Sequence, residues 1–454
     1  MSKTIKLKKG FDINLVGKAE KSTLQTEQPE TFALKPTDFH GITRPKLLVK
    51  EGDNVKAGTP IMYDAVMESV LFSAPVSGEI VEIVRGAKRK LLEIKILADK
   101  DVEFHAYDKH SISDITSLSK EDAVEKLTKG GAWANLTQRP YGVIANPADS
   151  PKAIFISGFD THPLAPDLDY ALAGEEQNFQ AGLDVLKKLT EGKVHLNVDG
   201  AGEVLRVYAS VTGVEVNKFS GPHPAGNVGV QIHHLDPINK GDIVWTCSPQ
   251  GVVQIGKFFL EGKYDTSKLV AVTGSSVKKP AYVKTYSGAK LSKLLAGNVE
   301  GDHNRFVSGN ILTGESVGLE GHLGYHHNQV TVIPEGDEEE FLGWLKPSTK
   351  KLSFHRALGL LSFLNGKKEY TVDTNTHGEE RGFVMTGAFE EVMPMDVLPT
   401  YLFKAILAND YDEIEALGIF ELLEEDVALC EFIDISKNDL QDILREGIEL
   451  IRNS

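Results

Sequence analysis

At 454 residues, with 41% of them hydrophobic, the chain is long enough for about three or four domains. Forty-two glycines and 19 prolines point to many turns, as in mixed α/β folds. A formal net charge of −16 argues against a nucleic-acid or anionic-lipid partner, and two cysteines, Cys247 and Cys430, make neither a disulfide framework nor a four-thiolate metal site.

The stretch 1–14 carries Lys3, Lys6, Lys8 and Lys9 without the apolar run of a signal peptide. No apolar run reaches the roughly 18 residues of a membrane helix. The longest pieces, such as 358–364, are core-sized. Work at a membrane would therefore need another polypeptide to bring the chain there.

From 45 to 96 the sequence reads as short strands cut by glycine turns, at 46–49, 61–63, 69–72, 79–84 and 91–96. Such spacing suits a compact flattened barrel. The words Val49-Lys50-Glu51-Gly52-Asp53-Asn54-Val55 and Ser73-Ala74-Pro75-Val76-Ser77-Gly78 resemble biotinyl and lipoyl carrier domains. There the prosthetic group hangs on a hairpin-tip lysine, seven residues before the Ala-Pro alanine. Met67 stands at that position here, and a thioether cannot form the amide.

Next comes a helical stretch behind Ser119-Lys120-Glu121-Asp122, a capping-box pattern. It runs into Gly130-Gly131-Ala132-Trp133. Strands at 153–157 and 195–198 alternate with a helix at 179–189, which argues for an α/β layered sheet. Gly200-x-Gly202 lacks the third glycine of a dinucleotide fingerprint and reads as a tight turn. His233 and His234 read as strand residues on opposite faces, so they cannot share a metal ion. His322, His326 and His327 fall in a glycine-marked loop, not on a zinc-binding helix.

Gly130-Gly131-Ala132 resembles the Gly-Gly-Ala-Gly-Phe loop of flavin-binding NADH subunits in complex I and Rnf-type complexes, with Trp133 at the next glycine. The loop 160–167 resembles their acidic nucleotide-contacting loop, with His162 where a carboxylate is expected. The words from Gly221-Pro222-His223-Pro224-Ala225-Gly226 to His234, Asp242-Ile243-Val244-Trp245 and Gln254-Ile255-Gly256-Lys257-Phe258 resemble the A subunits of sodium-translocating NADH:quinone oxidoreductases. Residues 269–317 are similar to the small β-grasp (SLBB) domain of those proteins. Rnf-type relatives then carry two Cys-x-x-Cys-x-x-Cys-x-x-x-Cys-Pro motifs. Anchored on Met393-Pro394, the ligand positions fall on Phe383, Thr386, Phe389 and Met393, and in the second copy on Glu424, Val427, Cys430 and Asp434. These side chains cannot hold a four-iron cluster.

The resemblance implies a multidomain α/β chain of four parts. These are a barrel-sandwich module (1–105), a Rossmann-like α/β domain related to the flavin-binding part of complex I (106–262), a β-grasp domain (263–335), and a linker with a small degenerate ferredoxin-like helical domain (336–454). It further implies a peripheral protein on the cytoplasmic side of the bacterial inner membrane, inactive alone, placed against the membrane-embedded B subunit in a complex whose members run from A to F. That complex couples NADH oxidation and quinone reduction to Na+ export. Its FAD, FMN, riboflavin and iron–sulfur groups would lie in the other members, with no cofactor, metal or catalytic residue on this chain. A quinone slot needs apolar walls with one or two donors. Tyr141, Phe159 and His223, with Trp133, are suitable types, and spacing along the chain sets no distance between them. The alternatives are a free-standing NADH-oxidising flavoprotein, opposed by Trp133 and His162, and a biotin or lipoyl carrier, opposed by Met67.

Overall fold

The computed structural model describes residues 2–337, 341, 351–354 and 368–453. The apolar piece 358–364 lies outside them. Among the described residues no helix is long and apolar enough to cross a membrane.

Turns at glycine and proline cut the barrel module into short strands. Thr31–Leu34, Leu91–Ala98, Gly78–Arg85 and Asn54–Val55 make one antiparallel sheet, and Pro45–Leu47, Pro60–Asp64 and Met67–Ser73 a second. Alternation sends Phe32, Ile80, Ile94 and Ile96 of the first and Ile61, Val70 and Phe72 of the second into one core. Each such side chain contributes about 1.5–3 kcal/mol by leaving water. The hairpin that carries residue 67 is pinned from below. The Asp64 carboxylate accepts backbone N–H bonds from Thr43 (3.1 Å) and Arg44 (2.9 Å), and Val66 stands 70% exposed at the tip.

The α/β domain is built on a seven-stranded sheet. Its order is Thr4–Lys6, Glu215–Ser220, Lys193–Asp199, Ala153–Ser157, Val244–Thr246, Thr137–Arg139 and Val143–Ile144. The first five are parallel, Thr137–Arg139 is antiparallel to Val244–Thr246, and Val143–Ile144 pairs antiparallel to Thr137–Arg139. Ser119 caps the helix Lys120–Gly130 by accepting from the Asp122 N–H at 3.1 Å, as its sequence pattern predicts. The helices Glu176–Leu186 and Pro249–Glu261 bury Phe179, Leu183, Val252, Ile255 and Phe258.

The β-grasp domain is a six-stranded sheet in the order Glu315–Ser316, Asn304–Ser308, Gln329–Pro334, Ser267–Thr273, Ala281–Tyr286 and Glu20–Leu24. Its last strand comes from the start of the chain. A boundary at residue 105 puts the whole N-terminal stretch into the barrel module. In the structure Thr4–Lys6 pairs with Glu215–Ser220, and Glu20–Leu24 pairs with Ala281–Tyr286. Two short strands thus tie the neighbouring domains to the chain's first residues.

At the other end, helices Ala388–Val392, Pro399–Ala408, Glu424–Ile433 and Leu440–Arg452 enclose Phe389, Leu402, Phe403, Val427, Cys430, Leu444 and Ile448 in a second core. That core is continuous with Phe155, Val230, Ile232 and Val244 beneath the α/β sheet.

The strand expected around His233 and His234 is instead a helix, Val228–Leu235. The apolar spacing of Val228, Val230 and Ile232 fits a period of two, but neighbours press on several sides of this segment and bury Gly229, Val230, Gln231 and Ile232. Burial on several sides erases the one-sided pattern that marks a surface helix.

Candidate functional site

The Gly130-Gly131-Ala132-Trp133 loop closes the helix Lys120–Gly130 against the barrel. Gly131 lies in the left-handed region, with φ of 86°. A Cβ on Gly131 would meet Ser73 Oγ at 2.6 Å, and one on Gly130 would meet Phe258 Cζ at 2.1 Å. Ser73 Oγ also donates to the Gly130 carbonyl at 3.2 Å. These glycines are thus needed for close approach to protein, and the loop has no open cradle for a ligand phosphate at either. The Trp133 indole is fully buried, donates from Nε1 to the Ala145 carbonyl at 2.7 Å, and meets Trp245 edge-on at 5.3 Å. The volume beside the loop is filled with protein, so a flavin does not fit there.

Two cavities lie on either side of this indole pair's domain. One, of about 570 Å³, opens beyond the carboxyl ends of strands Ala153–Ser157 and Lys193–Asp199, where ligands of open α/β sheets bind. Phe159 and His162 line it, within a rim rich in carboxylates: Asp12, Asp160, Asp167, Asp199, Glu203 and Glu369. Asp160 Oδ1 accepts from the His162 backbone N–H (2.8 Å) and pairs with His162 Nδ1 (2.7 Å). Desolvation opposes charge on the imidazole, but Asp160 outweighs it and holds the His162 pKa above its usual value. The His162 ring lies 4.8 Å from that of His223, which is 1% exposed and shares a hydrogen bond with Thr161 Oγ1 at 3.1 Å. Burial, helped by the charge on His162, lowers the His223 pKa to about 3, so this ring is neutral at physiological pH.

The second cavity, of about 260 Å³, lies where barrel, α/β domain and last helix meet. Ile42, Met67, Val70, Phe72, Val143 and Ile144 wall it, and His40, Asp64, Gln138, Tyr141, Asn146, Asp149 and Arg452 add polar or charged groups. Met67 and Tyr141, which the sequence treats separately, thus share one site. Tyr141 is not brought together with Phe159 and His223, which belong to the first cavity and the wall behind it.

The eight cluster-ligand positions divide. Phe389, Met393, Val427 and Cys430 are buried in the second core, with Cys430 Sγ 3.9 Å from the Phe389 carbonyl. Phe383 is half-buried and stacks on Phe403 at 6.0 Å. Asp434 turns inward to accept from the backbone N–H groups of Ser436 (3.0 Å) and Asn438 (2.9 Å). Thr386 is exposed, and Glu424 faces Arg445. Among the described residues no group of three or more His, Cys, Asp or Glu side chains is disposed to hold a metal ion. The histidines of the 322–327 loop are engaged in part with protein, His327 Nδ1 lying 2.8 Å from Ser308 Oγ.

Sequence reasoning misses the ion pairs that join the α/β domain to the last helices. Arg139, 1% exposed, contacts Asp426 Oδ2 at 2.9 Å and also Glu425 and the Glu421 carbonyl. Its burial opposes charge, but the two carboxylates keep the guanidinium ionised. The Asp426 carboxylate sits against Gly229 in the first turn of Val228–Leu235, where a Cβ would lie 2.4 Å from Oδ2. His233 Nδ1 pairs with Glu421 Oε2 at 2.8 Å, while its Nε2 accepts from the Asp396 N–H at 3.1 Å. Arg445 adds Glu424 and the Tyr141 carbonyl. A lone arginine in a strand and three acids at a helix start carry no signal that they meet.

Residues 5–99 match the NqrA N-terminal barrel-sandwich hybrid domain, 118–264 the NqrA second alpha/beta domain, and 269–318 the NQRA C-terminal domain. The A subunit of a Na(+)-translocating NADH-quinone reductase from Yersinia pestis bv. Antiqua (strain Angola) is 39% identical over 445 residues, covering 97% of this chain and 98% of that one. The chain belongs to the NqrA family. The corresponding A subunit from Marinomonas sp. (strain MWYL1) is 38% identical over 447 residues, with 98% and 99% covered. For an NqrA chain the three matched domains coincide with the barrel, the α/β sheet and much of the β-grasp sheet described above. A solved air-oxidized NAD+-reducing nickel–iron hydrogenase aligns at 12% identity over 78% of this chain and 67% of its own, with a TM-score of 0.37, too low to bear on the assignment.

Proposed function

We propose that this chain is the A subunit of a respiratory sodium pump, bound peripherally on the cytoplasmic side, and that it holds no redox cofactor of its own. The buried Trp133 carries the reading, because an indole occupies the space beside the loop that would receive a flavin. Phe389, Met393 and Val427, packed as core side chains, support it for the clusters, and Met67 supports it for a carried group. The whole complex oxidises NADH, reduces quinone and exports Na+. This chain braces the membrane-embedded B subunit and does not itself pass electrons. A free-standing flavoprotein of the complex I type is the disfavoured alternative.

The test compares the purified chain with the assembled complex. The chain alone should show no visible flavin band, an intact mass equal to its sequence mass, and no NADH oxidation. Its removal from the cell should abolish sodium-coupled NADH oxidation in membranes. A stoichiometric flavin band in the isolated chain sinks the reading.

Quinone contact is assigned to the cavity of Met67 and Tyr141, not to that of Phe159 and His223. Six apolar side chains wall the assigned cavity beside the hydrogen-bonding groups of Gln138, Tyr141 and Asn146, with two carboxylates, Asp64 and Asp149, while the other carries six carboxylates on its rim. A photoreactive quinone analogue on the intact complex should label peptides containing Met67 or Tyr141. Labelling confined to the other polypeptides of the complex removes the assignment.

A further inference from the structure

Lys268, in the β-grasp strand Ser267–Thr273, is 6% exposed. Its ammonium donates to the Tyr325 carbonyl at 2.7 Å, and among the described residues no carboxylate pairs with it. Asp38, the acid whose field reaches it, is spent on Lys35 at 3.3 Å and on the Tyr325 N–H at 2.8 Å. Burial, against the pull of Asp38, lowers the Lys268 pKa to about 7. A buried ammonium without a counterion is costly.

Lys268 lines a cavity of about 20 Å³ between the β-grasp sheet and the helix Pro249–Glu261 of the α/β domain. That helix contributes Gln250 and Gly251 from its first turn and Gln254 one turn on. Pro249 has no N–H, the Gly251 N–H goes to Ser248 Oγ at 3.1 Å, and that of Gln250 has no partner among the described residues. Such a helix start carries partial positive charge. Gln254 is 7% exposed, and Tyr325 Oη donates to its Oε1 at 3.3 Å. This fixes the amide and leaves Nε2 buried without a partner.

An ammonium, a helix N-terminus and a spare amide N–H thus meet at one cavity. Two acceptors also line it. Asp265 is already engaged by the Ser267 N–H and Oγ, both at 2.9 Å, and by Lys257 at 3.9 Å. Asn328 Oδ1 has no partner, and its amide turned over presents Nδ2 instead. A water would satisfy the amides and leave the ammonium uncompensated, whereas an anion answers both. The volume is room for little more than one water-sized sphere, so phosphate, sulfate and carboxylates are too large.

We propose that this cavity binds one halide ion, chloride in the cell, held by Lys268 Nζ, Gln254 Nε2 and the first turn of Pro249–Glu261. The lysine comes from the β-grasp sheet and the other groups from the α/β domain, so the ion clamps the two together. The inference goes beyond the reading of the chain as part of a sodium pump and does not depend on it.

The test melts the full chain at pH about 6, where Lys268 is charged, in sodium chloride, bromide or gluconate of equal ionic strength. Crystals of the same protein are soaked in sodium bromide. Either halide should raise the melting temperature saturably, by about 1–3 °C over gluconate, whose anion cannot enter. A bromide anomalous peak should stand in the cavity. Lys268→Met and Gln254→Leu should each raise the halide concentration needed by at least about ten-fold. Water alone in the cavity at saturating bromide overturns the proposal. So does a bromide peak without a thermal response, which means an adventitious ion only. An undiminished response in Lys268→Met places the halide elsewhere and overturns it as well. Should a variant fail to fold, the melts and crystals of the unaltered chain decide alone.

Discussion

The α/β domain is joined to its neighbours in two different ways. Toward the barrel the joint is close-packed: Gly131 lies on Ser73 and the Tyr107 hydroxyl donates to the Gly58 carbonyl at 2.7 Å, backed inside the α/β domain by Gly130 on Phe258, Tyr107 on Phe258 at 5.0 Å and Trp133 on Trp245. Toward the last helices the joint is charged, with Arg139 between Glu425 and Asp426 and Arg445 on Glu424, and His233 adds a hydrogen bond to Glu421. The first holds by shape and is intolerant of added volume. The second holds by complementarity and is intolerant of a lost charge. A buried ion pair contributes little net stability when both partners are present, because desolvation offsets attraction, but stranding one partner is costly. The two joints should therefore fail in different ways.

The largest effect is expected at Arg139. Arg139→Ala leaves Asp426 buried without its partner and should cost about 3–5 kcal/mol in urea unfolding. Adding Asp426→Ala should recover a substantial part of the loss. Simple additivity of the two single losses would show that the pair is not coupled. On the close-packed side, Gly130→Ala forces a methyl into the Phe258 ring and should cost about 1–3 kcal/mol. Phe258→Leu in that background should restore some of it, and an unchanged unfolding midpoint in Gly130→Ala alone would refute the shape argument.

Acid offers a third probe. His223 is buried and neutral, with its pKa lowered from 6.5 to about 3. Between those values the unfolded chain binds a proton that the folded chain does not, so His223 makes stability fall as pH drops from about 6.5 toward 3. The slope is at most about 1.4 kcal/mol per pH unit for one such group. His223→Gln should flatten the stability profile between pH about 6 and 5 by roughly that slope. Parallel profiles for the two proteins would show that His223 is not the group that charges. The smallest effect is expected at the hairpin: Met67→Lys, beside the exposed tip, should change stability by less than about 0.5 kcal/mol, measured by thermal melting.

The close-packed and charged joints also differ in how far they can be read from the sequence. The barrel strands are legible because Gly52, Gly58 and Gly78 punctuate them, and the strand Ala153–Ser157 because five consecutive residues read as β. Trp133 stands out because a glycine is expected there. By contrast, Arg139, Glu425 and Asp426 are ordinary charged residues until the fold brings together positions 286 and 287 residues apart. The helix Val228–Leu235 reads as a strand because burial on several sides hides its period. Glu20–Leu24 shows no apolar alternation, its residues being mostly exposed along a sheet edge. Met67 and Tyr141 share a cavity only because barrel and sheet meet, a long-range fact without a local pattern.

The edge strands Thr4–Lys6 and Glu20–Leu24 bear on how the chain acquires its shape. The first pairs with a strand 214 residues later and the second with one 261 residues later. During synthesis both are made long before their partners, so one sheet stays open at that edge until residue 220 has been made and the other until residue 286. Closing such distant pairings is slow, and an open edge invites pairing with other chains in the meantime. The barrel, whose strands all lie within residues 31–98, has no such wait. The barrel can therefore close before either sheet does, and the two sheets close in separate steps, with an edge open to other chains until each is complete.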